Sequence, residues 1–311
     1  MAINPGALAA LKKLSSSRAR QVSLPIIRAR AIVSQLTVRD DLSLRTMFVS
    51  PDNYEKMLNE VLYAHTEFID MLLPNNEVYK FETRPSLDQF LSMISDFDKK
   101  SLVYGLYFAT YYTFNKQKIT CPSCSDSWEE LVTADQIVTP DTFAFWDEDK
   151  PFNEYVYPID IEIKDSDTVK FRFNIMVPSA KDYSNVMRLL GSAKMKENFD
   201  KFGAITGSSE DLTLITKSIE IISNIETTEE DGTITSKEVV DKVEGLLNVY
   251  QAINDYIGLD VIETVSKEYE NKFGKYRPKF KKPLECGKCG NGFDFPIDIE
   301  MALLKSFAKI T

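Results

Sequence analysis

The chain of 311 residues carries a formal net charge of −10, and an acidic surface of this kind disfavours generic binding to a phosphate backbone. A hydrophobic content of 43% beside 27% charged residues is globular composition and excludes a disordered chain. No apolar run approaches the roughly 18 residues that cross a bilayer, so no membrane partner is expected.

The first 20 residues are predicted to form a basic, mobile arm ahead of the first strand. Arg18 and Arg20 are its last two arginines, and serines 15–17 precede them. Two interpretations stay open for this arm, a solvated tail and a docking segment for an acidic partner. If it docks, Arg18 and Arg20 are candidate partner-binding residues.

Residues 21–135 are predicted to form an N-terminal α+β part. Alternating residues predict strands at 22–27 and 31–38, followed by a short helix from about Asp40. Pro51 occupies the first turn of a helix that is predicted to run to about Leu72. Further helical segments are expected from Ser86 and over residues 100–112.

The chain has one histidine, His65, and this limits the chemistry that the sequence can support. His65 falls beside the apolar stripe of a predicted helix, where a packed or partly exposed residue is expected. No nucleophile elbow and no phosphate-binding glycine loop is present. The sequence therefore predicts a protein without catalytic residues and without a small-molecule substrate.

The four cysteines form two Cys-x-x-Cys pairs, Cys121 with Cys124 and Cys286 with Cys289. Each pair lies between short strand-like segments, the pattern of a zinc ribbon, and Gly290 follows the second pair where a positive φ is expected. Two such turns supply the four thiolates that Zn²⁺ prefers and leave no position for water. The spacing predicts one structural Zn²⁺ per chain.

Three other interpretations of the cysteines compete with zinc. A thioredoxin-like site needs only one pair and a βαβ setting. Disulfides need an oxidising compartment, and the chain begins with nothing that resembles a signal peptide. Chance spacing of four buried thiols is the third interpretation.

Residues 136–280, between the two pairs, are predicted to be an inserted module of a β-hairpin followed by helices. The hairpin strands are expected at 156–163 and 168–177, joined by a polar turn. A charged turn at 226–232 and a helix capped by residues 235–238 follow, and a last helix is predicted from about Ala252 to Phe273. An aromatic and acidic loop supplies four candidate partner-binding residues, Phe143, Phe145, Trp146 and Phe152.

The predicted fold class is α+β, predominantly helical with short β-hairpins. A split four-cysteine zinc ribbon joins distant parts of the chain. Residues 281–311 form the second zinc knuckle and the C-terminal segment.

The order of these features resembles the baseplate hub subunit family of T-even-like contractile-tailed phages. The resemblance rests on residues 212–225, an acidic turn, the sequence at 235–238, a basic linker with a proline, and the second cysteine pair. Residues 22–25, 36–44 and 95–112 with the first cysteine pair match its order more loosely. The loop at 143–157 is longer than in the family, and the basic arm is extended.

The resemblance implies a non-enzymatic virion or tail-assembly protein. Its partners would be other tail or baseplate proteins, and its location the tail baseplate or the host cytoplasm during assembly. The alternative is a zinc-ribbon protein that binds nucleic acid or acts in transcription. Basic residues around the second cysteine pair favour that alternative, among them Lys275, Arg277, Lys279, Lys281, Lys282 and Lys288.

Overall fold

The computed structural model describes residues 18–47, 51–73, 77–111, 116–139, 157–162, 170–182, 184, 222–228, 233–238 and 259–295. The chain divides into two compact units. Residues 1–145 and 276–311 form the first unit, and residues 146–275, inserted between them, form the second.

The first unit begins with an antiparallel sheet whose strands lie in chain order. The strands are β1 (Ala19–Leu24), β2 (Ala29–Ser34), β3 (Thr66–Leu72) and β4 (Val78–Tyr79). Along β1 and β2 the buried residues alternate with exposed or half-buried ones, which gives the sheet one packed face. Strand β1 starts at Ala19, so the predicted arm ends two residues early and Arg20 lies inside the sheet.

Four helices complete this part of the first unit. They are α1 (Val38–Met47), α2 (Pro51–His65), α3 (Leu87–Met93) and α4 (Asp96–Thr110). Helix α4 packs on β1 and β2, and it is buried over most of its length. Helix α2 contacts α1, α3 and α4, so the core lies between the sheet and the α2–α4 pair.

Two serine caps divide a segment that the apolar pattern predicts as one helix. Ser86 and Gln89 form a capping box that starts α3, which confirms the helix start predicted at Ser86. Ser95 and Asp98 form a second capping box that starts α4. The predicted stripe from 87 to 97 is therefore split between two helices.

Two consecutive charged residues of α4 are buried and paired. The Asp98 carboxylate accepts a hydrogen bond from the backbone N–H of Ile26 at 2.9 Å, which ties the β1–β2 turn to the start of α4. Burial raises the pKa of Asp98 to about 6, although hydrogen bonds from Ser95 and from the turn oppose this shift. The ammonium of Lys99 lies 2.5 Å from the carboxylate of Glu55 on α2. A buried charge needs such a partner, because an unpaired one is strongly destabilising.

The first unit continues with short strands that frame the first cysteine pair. Strands β5 (Gln117–Thr120) and β6 (Ser127–Glu130) form a hairpin, and β7 (Ile137–Val138) follows a 3-10 turn. Tyr104 of α4 connects this helix to the 3-10 turn and to β7. Its hydroxyl lies 3.2 Å from the carbonyl oxygens of both Ala134 and Ile137, and its single proton is shared between them.

The second unit contains a second four-stranded antiparallel sheet. Its strands are β8 (Tyr157–Glu162), β9 (Lys170–Ile175), β10 (Ile222–Thr228) and β11 (Ile234–Glu238), in the order β11-β10-β9-β8. The hairpin predicted from the alternating runs is confirmed as β8 and β9. Helix α5 (Leu259–Phe273) contacts β8, and Val265, Tyr269 and Phe273 form its buried stripe.

The chain then returns to the first unit through three short strands. Strand β12 (Lys279–Phe280) pairs with β7, and β13 (Leu284–Glu285) pairs with β14 (Gly292–Phe293) around the second cysteine pair. Both cysteine pairs thus lie in hairpins, as the sequence predicts.

Three predictions of secondary structure are wrong. The helix expected to reach Leu72 ends at His65, and residues 66–72 form β3 because they complete hydrogen bonding along β2. The turn predicted from residue 226 begins inside β10. Residues 235–238 form part of β11 and do not cap a helix, because they pair with β10 along most of its length.

The fold class is mixed α+β, and the predicted predominance of helix is not confirmed. The predicted helical segments at 185–201, 212–221 and 239–250 lie outside the described residues. Among the residues that the structure describes, no helix is both long and apolar enough to cross a membrane.

Gly105 allows the close approach of α4 to the sheet. A Cβ at this position would lie 2.8 Å from Cγ1 of Val22 and 3.0 Å from Cγ2 of Val33. Both valines are β-branched and therefore stiff at χ1, so neither moves aside easily.

We expect Gly105→Ala to lower the free energy of unfolding by about 1–2 kcal/mol, because overpacking outweighs the gain of about 1 kcal/mol in helix propensity. Urea denaturation measures this change. The double variant Gly105→Ala, Val22→Ala should be more stable than the sum of the single changes predicts. A stabilised Gly105→Ala variant would contradict the close packing of α4 on β1.

Candidate metal centre

The first cysteine hairpin holds its two thiols through backbone hydrogen bonds in the turn. The N–H of Cys121 donates to the carbonyl of Asp126 at 2.8 Å, and the N–H of Ser125 donates to the carbonyl of Cys121 at 3.0 Å. Strands β5 and β6 continue this ladder in register from Thr120 and Ser127. The turn is thus fixed on both sides of the pair.

The second hairpin repeats the same bonds at the equivalent positions. The N–H of Cys286 donates to the carbonyl of Asn291 at 3.0 Å, and the N–H of Gly290 donates to the carbonyl of Cys286 at 2.8 Å. The residue after the second cysteine has positive φ in both turns, 57° at Ser125 and 70° at Gly290. The positive φ that the sequence predicts for Gly290 is therefore present.

The structure brings the four thiols of the two hairpins together. All four Sγ atoms lie within 4.8 Å of one another. Cys121 Sγ lies 3.7 Å from Cys289 Sγ, and Cys124 Sγ lies 3.6 Å from Cys286 Sγ. A tetrahedral Zn²⁺ with bonds near 2.3 Å needs sulfur–sulfur distances of about 3.8 Å. The thiol cluster is therefore compatible with a metal ion in both ligand number and spacing.

Burial differs between the two members of each pair in the same way. The first cysteines, Cys121 and Cys286, are buried, whereas Cys124 is half-buried and Cys289 is exposed. The cluster therefore has one side toward the protein and one side toward solvent. Four protein ligands would complete a tetrahedral shell and leave no position for a reacting water.

The thiols influence one another's ionisation. Burial raises the pKa of Cys121, but N–H groups of Cys124 and Ser123 and the thiols of Cys289 and Cys124 outweigh burial and lower it to about 7. The N–H of Asp126 lowers the pKa of Cys124, but burial and the three neighbouring thiols raise it to about 12. Ionisation of one thiol therefore disfavours ionisation of its neighbours, and a bound cation would favour the thiolate forms.

Apart from the thiols, the described contacts between the two hairpins are modest. The rings of Trp128 and Phe293 meet edge to face with centroids 6.1 Å apart. Lys288 Nζ lies 3.6 Å from Asp126 Oδ1, with both side chains substantially exposed. An exposed ion pair contributes about 0–1 kcal/mol. The cysteine cluster is therefore the main element that can hold the hairpins together.

The other predicted site residues are placed only in part. Arg18 is exposed, and Arg20 is half-buried in β1. A hydrogen bond from the Thr133 side chain is the main cause that lowers the pKa of Asp135 beside β7, and the charge of Arg20 adds a small contribution. The aromatic residues proposed for partner binding lie outside the described residues, namely Phe143, Phe145, Trp146 and Phe152.

Sequence reasoning missed one polar cluster in the first unit. His65, the last residue of α2, is hydrogen-bonded to both Ser34 and Asp40. The contact between Thr37 and Asp40 has the spacing of a capping box and could have been recognised. The contact between His65 and Ser34 depends on tertiary structure, and no local sequence pattern indicates it.

Comparison of the chain with known protein families, with curated proteins and with solved structures finds no match.

The equivalent positions after each cysteine pair provide a matched test of the turns. We expect Gly290→Ala to lower the free energy of unfolding of the metal-loaded protein by about 1 kcal/mol, because a Cβ is disfavoured at positive φ. Ser125→Gly should raise it by up to about 1 kcal/mol for the same reason. Guanidinium denaturation measures both. Equal effects of the same sign in the two variants would contradict the shared turn conformation.

Proposed function

We propose that the four cysteines bind one structural Zn²⁺ per chain. The spacing of the four sulfur atoms carries this proposal, since four thiolates in a tetrahedral arrangement suit Zn²⁺ and exclude a catalytic water. When bound, the metal supplies a cross-link and no reaction chemistry. None of the four cysteines forms a disulfide, which is consistent with this role.

The cross-link joins two parts of the chain that a complete second unit separates. Cys121 and Cys289 are 168 residues apart, and both belong to the first unit. The entropic cost of closing so long a loop is only slightly larger than that of closing a short one, because this cost grows as the logarithm of loop length. Metal binding contributes on the order of 10 kcal/mol to folding in small zinc domains, which exceeds that cost.

We propose further that the chain is a tail protein of a contractile-tailed phage, either a component of the baseplate hub or a factor in its assembly. The order of the sequence features, ending in the split cysteine pairs, supports this role. The sequence at 235–238, which resembles a helix cap of the hub family, lies in a strand of this chain and lends no support. The paired cysteine hairpins and the basic linker between α5 and β12 still support the proposal.

A role in nucleic-acid binding is the second candidate, and exposed lysines of the second hairpin region favour it. Lys279, Lys281 and Lys282 are exposed around β12. Against it, Lys288 is paired with Asp126 and Lys116 with Glu129, so acidic side chains offset part of this charge. The net charge of −10 also opposes it.

The zinc proposal predicts the effect of removing one ligand. In Cys286→Ser, metal content measured by elemental mass spectrometry should fall from one zinc per chain to a small fraction. The protein should also become less stable toward urea, because a closed thiolate set tolerates no weaker ligand. The matched control is Ser123→Ala, which changes a residue inside the first turn and keeps all four thiols. Full zinc occupancy in Cys286→Ser would contradict the ligand assignment.

The tail proposal predicts specific partners. A tagged, zinc-loaded chain expressed in phage-infected cells should co-purify with baseplate or hub proteins, identified by mass spectrometry. Weak DNA binding with little dependence on salt is expected beside this, because phosphate contacts would give a steep salt dependence. Recovery of nucleic acid with a steep salt slope, and of no tail protein, would favour the second candidate.

A further inference from the structure

A serine, a histidine and an aspartate form a continuous hydrogen-bonded chain in the first unit, far from the cysteines in sequence. Ser34 Oγ lies 3.0 Å from Nδ1 of His65. Nε2 of the same ring lies 3.0 Å from Oδ2 of Asp40. These separations lie within the range expected for a nucleophile, a general base and an orienting carboxylate.

Three different elements hold the three side chains. Ser34 is the last residue of β2, and His65 is the last residue of α2. Asp40 lies in the first turn of α1, where its N–H donates to Thr37 Oγ1 at 3.2 Å and its carboxylate accepts from the Thr37 hydroxyl. The carboxylate is therefore fixed by its own helix cap before it contacts His65.

The charge of Asp40 decides which nitrogen of His65 carries the proton. Burial raises the pKa of Asp40, but hydrogen bonds from Thr37 and His65 outweigh burial and lower it, so the group is ionised. An ionised carboxylate accepts a hydrogen bond from Nε2–H, and in the neutral ring this leaves a lone pair on Nδ1. That lone pair lies 3.0 Å from Ser34 Oγ. The same hydroxyl also lies 3.3 Å from the backbone carbonyl of His65, so its single proton is shared between the two acceptors and reaches Nδ1 over the shorter contact. The roles of the two nitrogens are reversed relative to serine proteases, but the relay is the same.

The same serine and histidine line a cavity of about 420 Å³. Its volume falls within the range of small-molecule sites. Aromatic and apolar residues form much of its wall: Ile32, Tyr63, Phe68, Phe81 and Phe90. The side chain of His65 is 10% exposed, so the base is sheltered yet reaches the cavity.

The charged residues of the wall limit the substrate. Glu67 and Glu82 line the cavity and disfavour an anionic ligand. Arg84 is the only cation among the described lining residues, and its guanidinium stacks 4.1 Å from the centre of the Tyr63 ring. Its guanidinium also donates to the backbone carbonyls of Tyr63 and Thr66, which fixes this charge in the wall. An uncharged substrate with an apolar group fits this lining.

We propose that Ser34, His65 and Asp40 form a hydrolytic site for small, uncharged carboxylic esters. Ser34 Oγ bonds to the ester carbonyl carbon while its proton passes to Nδ1 of His65. The carbon–alkoxy bond then breaks, and the alcohol leaves with that proton. Water, deprotonated by the same nitrogen, then adds to the acyl carbon. The bond from this carbon to Ser34 Oγ breaks, the acid is released, and the proton on Nδ1 returns to Ser34 Oγ. Asp40 is the positioning residue, because it acts through His65.

The test uses the full, zinc-loaded chain and a fluorophosphonate probe, with p-nitrophenyl butyrate as ester substrate. Peptide mass spectrometry should find one adduct per chain on Ser34. Ser34→Ala should lose both labelling and ester hydrolysis. Ser23→Ala is the matched control, since Ser23 lies on the neighbouring strand without a histidine partner in the described contacts, and it should react as the wild type does.

His65→Gln should slow labelling by roughly 10²–10⁴-fold, the usual contribution of a general base. Far-UV circular dichroism and zinc content establish that each variant is folded. If His65→Gln does not fold, Asp40→Asn serves instead. That change should lower kcat for ester hydrolysis and leave KM nearly unchanged, because Asp40 orients His65 but does not line the cavity.

Two results would overturn the proposal. One is a folded wild-type protein in which the probe does not label Ser34. The other is ester hydrolysis at the wild-type rate in Ser34→Ala, which would mean that the three residues only fasten β2, α1 and α2 together. Either result leaves the zinc and tail proposals unaffected, because neither depends on this cavity.

Discussion

Four sulfur atoms from two hairpins that are distant in sequence meet in the first unit. Two sulfur pairs from opposite hairpins lie 3.6 and 3.7 Å apart. Contacts between uncharged thiols contribute little stability at these distances. Four thiolates at this spacing would repel one another, and the divalent cation proposed above would offset that repulsion. The remaining described contacts, an aromatic edge and an exposed ion pair, are too weak to replace it. The chemistry of this cluster therefore sets the conditions under which the second hairpin stays in place.

The sheet-and-helix part of the first unit is organised differently, around two charged residues of α4. Asp98 holds the β1–β2 turn, and Lys99 pairs with Glu55 on α2. The two side chains follow one another in sequence but reach different partners, so α4 links the sheet to the helices. Ion pairs of this kind add little stability compared with apolar packing, but removing one partner is strongly destabilising. They make the arrangement of α4 specific.

Local signals in the sequence predict the parts of the fold that local interactions determine. The doubled cysteine spacing indicates both hairpins, Ser86 indicates the start of α3, and alternation indicates β8 and β9. The sequence fails where long-range pairing overrides local preference. The sequence of residues 66–72 continues a helical pattern of apolar positions, but these residues pair with β2 as a strand. Residues 235–238 match the sequence of a capping box, but they form a strand that pairs with β10.

The cysteine cluster and the Ser34–His65–Asp40 cluster show the same contrast between local and long-range interactions. The grouping of the four cysteines could be predicted from their spacing, because each pair lies within one short turn. The contact of His65 with Ser34 spans 31 residues and that with Asp40 spans 25. No periodicity connects these positions. Only the packing of α1 and α2 beside the end of β2 brings them to one imidazole ring.

The insertion of the second unit between the cysteine pairs also has a consequence for synthesis on the ribosome. Cys121 emerges 168 residues before Cys289. At about 5–20 residues per second, the first thiols wait roughly 8–30 s for their partners. The residues of the inserted unit are synthesised within this interval, before the ligand set is complete. Closure of the cluster thus marks a chain that has been translated past both hairpins, and a product truncated before Cys286 keeps only two of the four thiols.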